Sequence, residues 1–567
     1  MMVEMHSKSK NIDLIVLGAG AGGLTAAAVA ATEGLQVLVL EKASQVGGTT
    51  AISGGMIWAP NSHLANAPDS LEKAKTYLDA VVPTDAGQSQ RRTFLERAPE
   101  MIAYLEKNTS VKLQAVPIYP DYEVDAPGAS THGRVLEPVC FDARTLGPAF
   151  SMVRPPLPEF TLFGGMMIAR PDIVHFRNVF RSLRSSLRVA RLIVEYIGQR
   201  LAGNRRGTTL VLGNALVARL LKSLLDRGVE IRCRCEVKNL VVTNNRVTGV
   251  RVTTEGGEQT IAARCGVVLA TGGFSADIPL REAYLPPQAR TLTATAGVGT
   301  GDGLRYGLSV GARITPGPFG SAYWTPASHY RDTSDRHVVF PHTVTDRAKP
   351  GLIAVNRDGR RFTNEAVSYH QFVTAMLREN NVADAVPAHL ICDKRFLWKY
   401  GLGAIRPMTL RLGRYKAAGY LKEAATLHAL AGTLLIDAKT FEATIDRYND
   451  DARVGKDTEF DRGGNVYQRF MGDAENFPNP CIAPIEAPPF YSIALYPADL
   501  GTATGLDSND DARVLDDAGQ SIAGLYACGN DMNAIMQGAY PSPGTTIGPA
   551  MTYGYLAAMH AAHTDTN

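Results

Sequence analysis

These 567 residues contain no cluster of metal-binding side chains, no disulfide framework and no membrane-spanning run. The seven cysteines, Cys140, Cys233, Cys235, Cys265, Cys392, Cys481 and Cys528, are scattered, odd in number and form no C-x-x-C. That pattern fits free thiols in a reducing cytosol and argues against a disulfide scaffold. The twelve histidines show no H-E-x-x-H or comparable spacing, so no metal site is expected. No apolar run reaches the roughly 18 residues that a bilayer-spanning helix needs. "MMVEMHSKSKNIDLIVLG" has no long apolar stretch before its first strand, which argues against a secretory leader. A net charge of +3 gives no footprint for nucleic acid. One absence is local: from Val514 to Asn567 there is no lysine or arginine.

Glycine is plentiful instead, with 54 residues gathered in particular turns. Such turns bring backbone close to a ligand. The chain is longer than one compact core usually covers, so two lobes are expected. Hydrophobic content of 45% and charged content of 20% describe an ordinary globular protein.

"IDLIVLGAGAGGLTAAAVAATEGLQVLVLEK" reads as strand, helix, strand. Gly18, Gly20 and Gly23 stand in G-x-G-x-x-G spacing at the first turn, with Ala21 and Gly22 between them. The glycines allow a tight turn, close approach of a pyrophosphate at the helix N-terminus, and close packing of helix on strand. Glu41 ends the second strand, where a carboxylate accepts ribose hydroxyls, and Lys42 follows it. A dinucleotide is therefore expected. "GGTTAISGGMIWAPN" then adds Thr49, Ser53, Gly54 and Gly55. A nicotinamide domain does not need this second glycine and hydroxyl run, whereas the long ribityl arm of FAD does. "VVTNNRVTGVRVTT" reads as a hairpin turning at Asn244-Asn245, with Val237 just before it. "GVVLATGGF" is a buried strand leading to Ala270, Thr271 and Gly272. Near the end, "SIAGLYACGND" is a short strand running into Gly529 and Asn530. "AYPSPGTTIGPAM" follows, with Thr546 and Ile547 opening a helix that has Pro549 in its first turn. The positive end of that helix would face the preceding turn and favour negative charge on a reduced flavin.

On these segments the chain resembles the 3-ketosteroid Δ1-dehydrogenases, within the fumarate-reductase-like group of FAD flavoproteins. The more specific stretches are "VPIYPDYEVDAPG", "GRRFTNEAVSYHQF", "YPADLGTATGL" and "AYPSPGTTIGPAMTYGYLAA". The resemblance implies a ketone oxygen held by the Tyr540 hydroxyl and the Gly544 N–H. It implies Tyr369 as the base that takes a proton beside the ketone. Tyr122 would support that base, with Tyr119 the alternative. The implied reaction forms a C1–C2 double bond in ring A of a 3-ketosteroid, in steroid degradation. The partners would be an apolar steroid and a quinone-like or dye-like electron acceptor. A ring-A dehydrogenase acting at the Δ4 position, or an FAD reductase of an enone or fumarate-like substrate, are the alternatives. The cation-free end of the chain disfavours a dicarboxylate. Three departures near the expected pocket leave the substrate open. They are Ala-Thr-Gly after Asp-Leu-Gly-Thr, Glu123 after Tyr122, and "NDMNAIMQGAY" before the tyrosine turn.

The expected fold class is α/β. A Rossmann-like FAD domain would occupy residues 1–286 and 496–567, and an α+β substrate domain 287–495. One further stretch, residues 175–206, is the clearest helical pattern in the chain. Phe176, Phe180, Leu183, Leu187, Ala190, Val194, Ile197 and Leu201 form an apolar stripe. Arg177, Arg181, Arg184, Arg188 and Arg191 run beside it. Two readings compete: a helix lying on the inner face of the cell membrane, or one packed on its own protein with its arginines in water. The protein is expected in the cytoplasm in either case.

Overall fold

The computed structural model of the chain describes residues 11–254 and 257–564. Two sheets organise it. The first is nine-stranded and opens at Leu14–Leu17, whose four residues are all buried. This strand pairs in parallel with Val37–Glu41 on one side and Gly266–Leu269 on the other. Gly266–Leu269 pairs in turn with Ser521–Ala527, in parallel. A strand with parallel neighbours on both sides needs apolar residues on both faces, which explains the unbroken "LIVL" and "GVVL". The hairpin of Val237–Thr243 and Arg246–Thr254 turns at Asn244 and Asn245, both at positive φ (50° and 59°). That geometry suits a tight two-residue turn and favours asparagine.

The second sheet is six-stranded, in the order His337–Pro341, Ala322–Arg331, Phe490–Thr502, Ala388–Asp393, Leu352–Val355. Lys422–Ala424 pairs at the side of Phe490–Thr502. The return to the first domain was expected at about 496. That position falls within Phe490–Thr502, which belongs wholly to the second sheet.

The stretch 175–206 is not one helix. Arg170–Arg177 and Leu183–Leu201 are separate helices joined at 178–182. Ser185, Val189 and Tyr196 make the buried face of the longer one. The apolar stripe points outward instead, with Phe180, Leu183, Leu187, Val194 and Leu201 all exposed. No helix among the described residues is long and apolar enough to cross a membrane.

Candidate active site

The loop before Tyr122 is held by a buried charge cluster. Arg134 donates to both oxygens of Asp69 (2.9 Å each) and to Asp121 (2.8 Å). Asp121 also accepts from the indole of Trp58 (3.0 Å) and from the Ser130 N–H (2.9 Å). A buried ion pair is tolerated when its remaining hydrogen bonds are filled, as here. The Tyr122 N–H then donates to the Pro541 carbonyl (2.9 Å), which also accepts the Tyr77 hydroxyl (2.6 Å). Tyr122 is thereby fixed to the turn that carries Tyr540.

Tyr369 is the first residue of the helix Tyr369–Glu379. Ser368 and Gln371 close a reciprocal capping box at its start. Behind it, the side chain of Arg361 bonds both oxygens of Glu365 (2.9 and 2.8 Å) and both of Asp457 (2.9 and 2.8 Å). Arg462 adds a third contact to Glu365 (3.0 Å). The arginine and glutamate of "RRFTNEAVSY" are therefore a girder under the tyrosine and not part of the site itself.

These supports bring three hydroxyls into line. Tyr122 donates to Tyr369 (2.7 Å), and Tyr369 donates to Tyr540 (3.2 Å). All three rings meet edge to face at centroid distances of 5.5–5.7 Å. Burial raises the Tyr369 hydroxyl well above the usual tyrosine range, and the bond donated by Tyr122 opposes that rise. Burial also raises Tyr122 and Tyr540. Tyr119 lies outside the hydroxyl chain. Its ring packs on Phe470 at 5.3 Å, and burial pushes its hydroxyl up to about 12.

Gly544 has φ of 90°, and a Cβ there would lie 2.5 Å from the Trp58 nitrogen. Only glycine fits. Its carbonyl accepts from the Trp58 N–H (3.2 Å), while its own N–H has no acceptor among the described residues. The site thus offers hydroxyls and an N–H, and no lysine or arginine among the described residues hydrogen-bonds to Tyr122, Tyr369 or Tyr540. His370, whose ring packs on Tyr540, is buried and accepts the Trp324 N–H at Nδ1 (3.2 Å). Burial lowers it to about 4, so it is neutral at pH 7.

Of the residues expected to hold FAD, Gly18 to Gly23, Glu41, Ala270 to Gly272 and Gly529 to Asn530 lie at the C-terminal ends of the first sheet's parallel strands. A Cβ at Gly18 would lie 2.2 Å from the Ala270 carbonyl, and one at Gly23 would lie 2.1 Å from the Gly18 carbonyl. The N–H groups of Gly20 and Gly22 have no acceptor among the described residues, as suits an anion at a helix N-terminus. Glu41 is buried and accepts from the Ala19 and Ala43 N–H groups (2.8 Å each), and burial raises its carboxyl. Each oxygen keeps a lone pair for a ribose hydroxyl. Lys42 instead reaches Thr300 and Asp302 (2.9 Å each). Thr49 accepts from the Ala296 N–H (3.2 Å), and Ser53 accepts from Gly55 (3.0 Å). A Cβ at Gly55 would lie 2.4 Å from the Gly213 nitrogen, whereas Gly54 is open. The Val237 carbonyl accepts the Tyr306 hydroxyl (2.6 Å). Ala270 donates to Leu17 (2.8 Å), and Gly272 has φ of 96°. Gly529, Asn530 and Thr546 line a narrow cavity together with Tyr323. Ile547 begins the C-terminal helix, Ile547–His563. Unpaired first-turn donors, a backbone too close for a Cβ at Gly18, Gly23 and Gly55, and a buried acid fit FAD.

Several residues around the site carry no local sequence signal. Asp531 accepts from the Thr271 hydroxyl (3.0 Å) and the Gly273 N–H (2.9 Å), pinning two strand ends, and burial raises it to about 6. Tyr323 packs on Tyr540 (5.0 Å), and Tyr467 packs on Tyr122 (5.3 Å). Each is a long-range neighbour that only the fold brings in. Asp531 alone had a hint, since it follows the strand-ending "CGN".

Comparison with known proteins agrees with this geometry. Residues 13–547 match the FAD binding domain family. The chain is 36% identical to a 4-oxocyclohex-2-ene-1-carboxylate 5-dehydrogenase of Sinomonas cyclohexanicum, over 98% of this chain and 95% of that protein. It is 35% identical to a 3-oxosteroid 1-dehydrogenase of Mycolicibacterium smegmatis, over 99% and 98%. Its fold is similar to that of the 3-ketosteroid Δ1-dehydrogenase from Sterolibacterium denitrificans, solved with 1,4-androstadiene-3,17-dione. The TM-score is 0.91 at 37% identity, covering 97% of this chain and 99% of that one. The chain belongs to the FAD-binding flavoproteins, among the relatives of the 3-oxosteroid 1-dehydrogenases. It is an FAD-dependent oxidoreductase.

Proposed function

We propose that the protein removes two hydrogens from ring A of a 3-ketosteroid and forms the C1–C2 double bond. The observation that carries this reading is the hydroxyl chain Tyr122–Tyr369–Tyr540, whose last member lies four residues before Gly544, an N–H with no acceptor among the described residues. A hydrogen beside a ketone is acidic because the resulting anion spreads onto oxygen. Tyr540 and the Gly544 N–H hold that oxygen, and each such donor is typically worth about 3 kcal/mol in the transition state. Tyr369 takes the C2 proton, and Tyr122 shares the resulting negative charge by hydrogen bonding. Bound FAD supplies the acceptor for hydride from C1. A buried hydroxyl chain to which no lysine or arginine among the described residues hydrogen-bonds suits an uncharged ring system, and a quinone-like or dye-like acceptor would regenerate the cofactor.

The relative from Sinomonas gives a second reading, a monocyclic 4-oxo carboxylate. Mass spectrometry of products separates the two, using 3-ketosteroids and 4-oxocyclohex-2-ene-1-carboxylate with an artificial acceptor. A 1,2-dehydrosteroid is expected. Turnover of the monocyclic acid alone overturns the steroid reading. We also infer that the outward apolar stripe of Leu183–Leu201, with its arginines, rests on an anionic membrane where a steroid would partition. Co-sedimentation with phosphatidylglycerol vesicles is expected, and its absence removes this reading.

A further inference from the structure

A cleft of about 510 Å³ lies far along the second sheet from the tyrosines, between Pro158–Glu159, the hairpin at 330–336 and the segment 404–418. Four arginines line it, but its charges are not matched one to one. Arg336 occupies both of the cleft's acids, Glu159 (2.7 Å) and Asp332 (3.0 Å). Arg331 pairs with Asp335 (3.3 Å). Arg406 and Arg414 have no carboxylate partner among the described residues. Arg406 donates to the carbonyls of Pro158 (3.1 Å) and Thr161. Arg414 lies over the Tyr415 ring at 4.6 Å and donates to its hydroxyl (2.6 Å). Two fixed guanidinium groups in one concave site call for an anion with several oxygens.

The surroundings say which anion. Leu410 and Met408, between the two unpaired arginines, are 84% and 49% exposed. Thr161, which Arg406 holds, leads to Phe163, itself 61% exposed. The Phe163 carbonyl accepts the hydroxyl of Tyr196 (2.9 Å), on the buried side of the arginine-rich helix. The segment 161–163 therefore runs from the edge of the cleft to the inner face of the helix that carries the outward apolar stripe. We propose that this cleft binds the phosphodiester headgroup of an anionic lipid, with Arg406 and Arg414 as its ligands and Met408 and Leu410 entering the acyl boundary. The proposal rests on the membrane reading and adds a specific lipid site to it.

The test uses the flavin-loaded full chain. Calorimetric titration with dihexanoyl phosphatidylglycerol below its micelle-forming concentration reads the cleft without a bilayer. Vesicles of phosphatidylcholine, with and without phosphatidylglycerol, read membrane docking. The R406Q/R414Q double variant is expected to lose roughly tenfold or more in short-chain lipid affinity. R414Q alone, whose head group touches only Tyr415, is expected to lose roughly fivefold. Flavin absorbance should be unchanged in both. L183Q/L187Q is expected to keep short-chain binding while losing vesicle binding. No short-chain binding by the parent protein, or equal binding by R414Q, overturns the site. Vesicle binding that persists in that case leaves the membrane reading standing alone. Glycerol phosphate binding as tightly as the lipid overturns the lipid as the ligand.

Discussion

At the scale of single residues, the tyrosines face a conflict between burial and chemistry. A base needs an accessible anion, yet burial drives the Tyr369 hydroxyl upward. The bond from Tyr122 is the one contact in the chain that favours that anion. Tyr369→Phe and Tyr540→Phe should retain the bound-flavin spectrum and lose roughly 10²–10³-fold in turnover. Stopped-flow bleaching of the flavin by substrate measures this, and near-normal rates in both variants would remove the assigned roles. Because Tyr369 is raised, its anion is scarce at neutral pH. The bleaching rate should climb from about pH 7 to about pH 10. Tyr122→Phe should move that rise to still higher pH, and a profile flat across the range would contradict Tyr369 as base. Of the residues named from motifs, Tyr122, Tyr369 and Tyr540 share one hydroxyl chain, and Tyr119 stays off it. Tyr323, Tyr467 and His370 were not legible, because their roles come from rings that meet across distant segments.

At the scale of elements, the strand–helix–strand opening was readable because its apolar runs, glycines and terminal acid all obey local rules. The helix Leu183–Leu201 shows the limit of such rules. Periodicity revealed a stripe but not which side meets the protein. Val189 and Tyr196 face inward, while Arg188 reaches Asp172 (2.7 Å) from the preceding helix. A sequence with apolar residues on the outer face and a small, mixed inner face gives no means of choosing. The break at 178–182 was missed for the same reason, since the stripe continues in register across it. The structure makes the choice testable. Leu183→Gln with Leu187→Gln removes side chains that are 77% and 63% exposed, and should leave the melting temperature within about 2 °C of the parent. Val189→Asp places a carboxylate on the buried face and should lower it by several degrees. Differential scanning calorimetry decides, and the reverse ranking would mean that the helix packs the other way round.

At the scale of the whole molecule, two sheets share one site, and the strand Phe490–Thr502 runs through the position, about 496, at which a return to the first domain is expected from sequence. "YPADLGT" is the end of a thirteen-residue strand, and nothing in its local pattern says which sheet it joins. The interior also sets the response to acid. His370 and His389 are held neutral by burial, at about 4 against an ordinary 6.5. Between those values the unfolded chain binds protons that the folded chain refuses. Stability from these groups is complete above about 6.5 and is lost as pH falls towards about 4. Thermal melts should therefore decline steadily over that window, and His389→Gln should make the decline shallower. An unchanged slope in that variant would assign the acid lability to other groups.

The Pro541 carbonyl, which accepts both the Tyr122 N–H and the Tyr77 hydroxyl, also fixes an order of events during synthesis. The segment around Tyr122 leaves the ribosome long before its anchor exists, and Gly22 waits for Gly554, where a Cβ would lie 2.5 Å from its carbonyl. The glycine turn around Gly22 and the hydroxyl chain are therefore both completed by the segment 540–554. A nascent chain stalled before Tyr540 carries the nucleotide fingerprint but lacks both the Tyr540 hydroxyl and the helix that packs against Gly22.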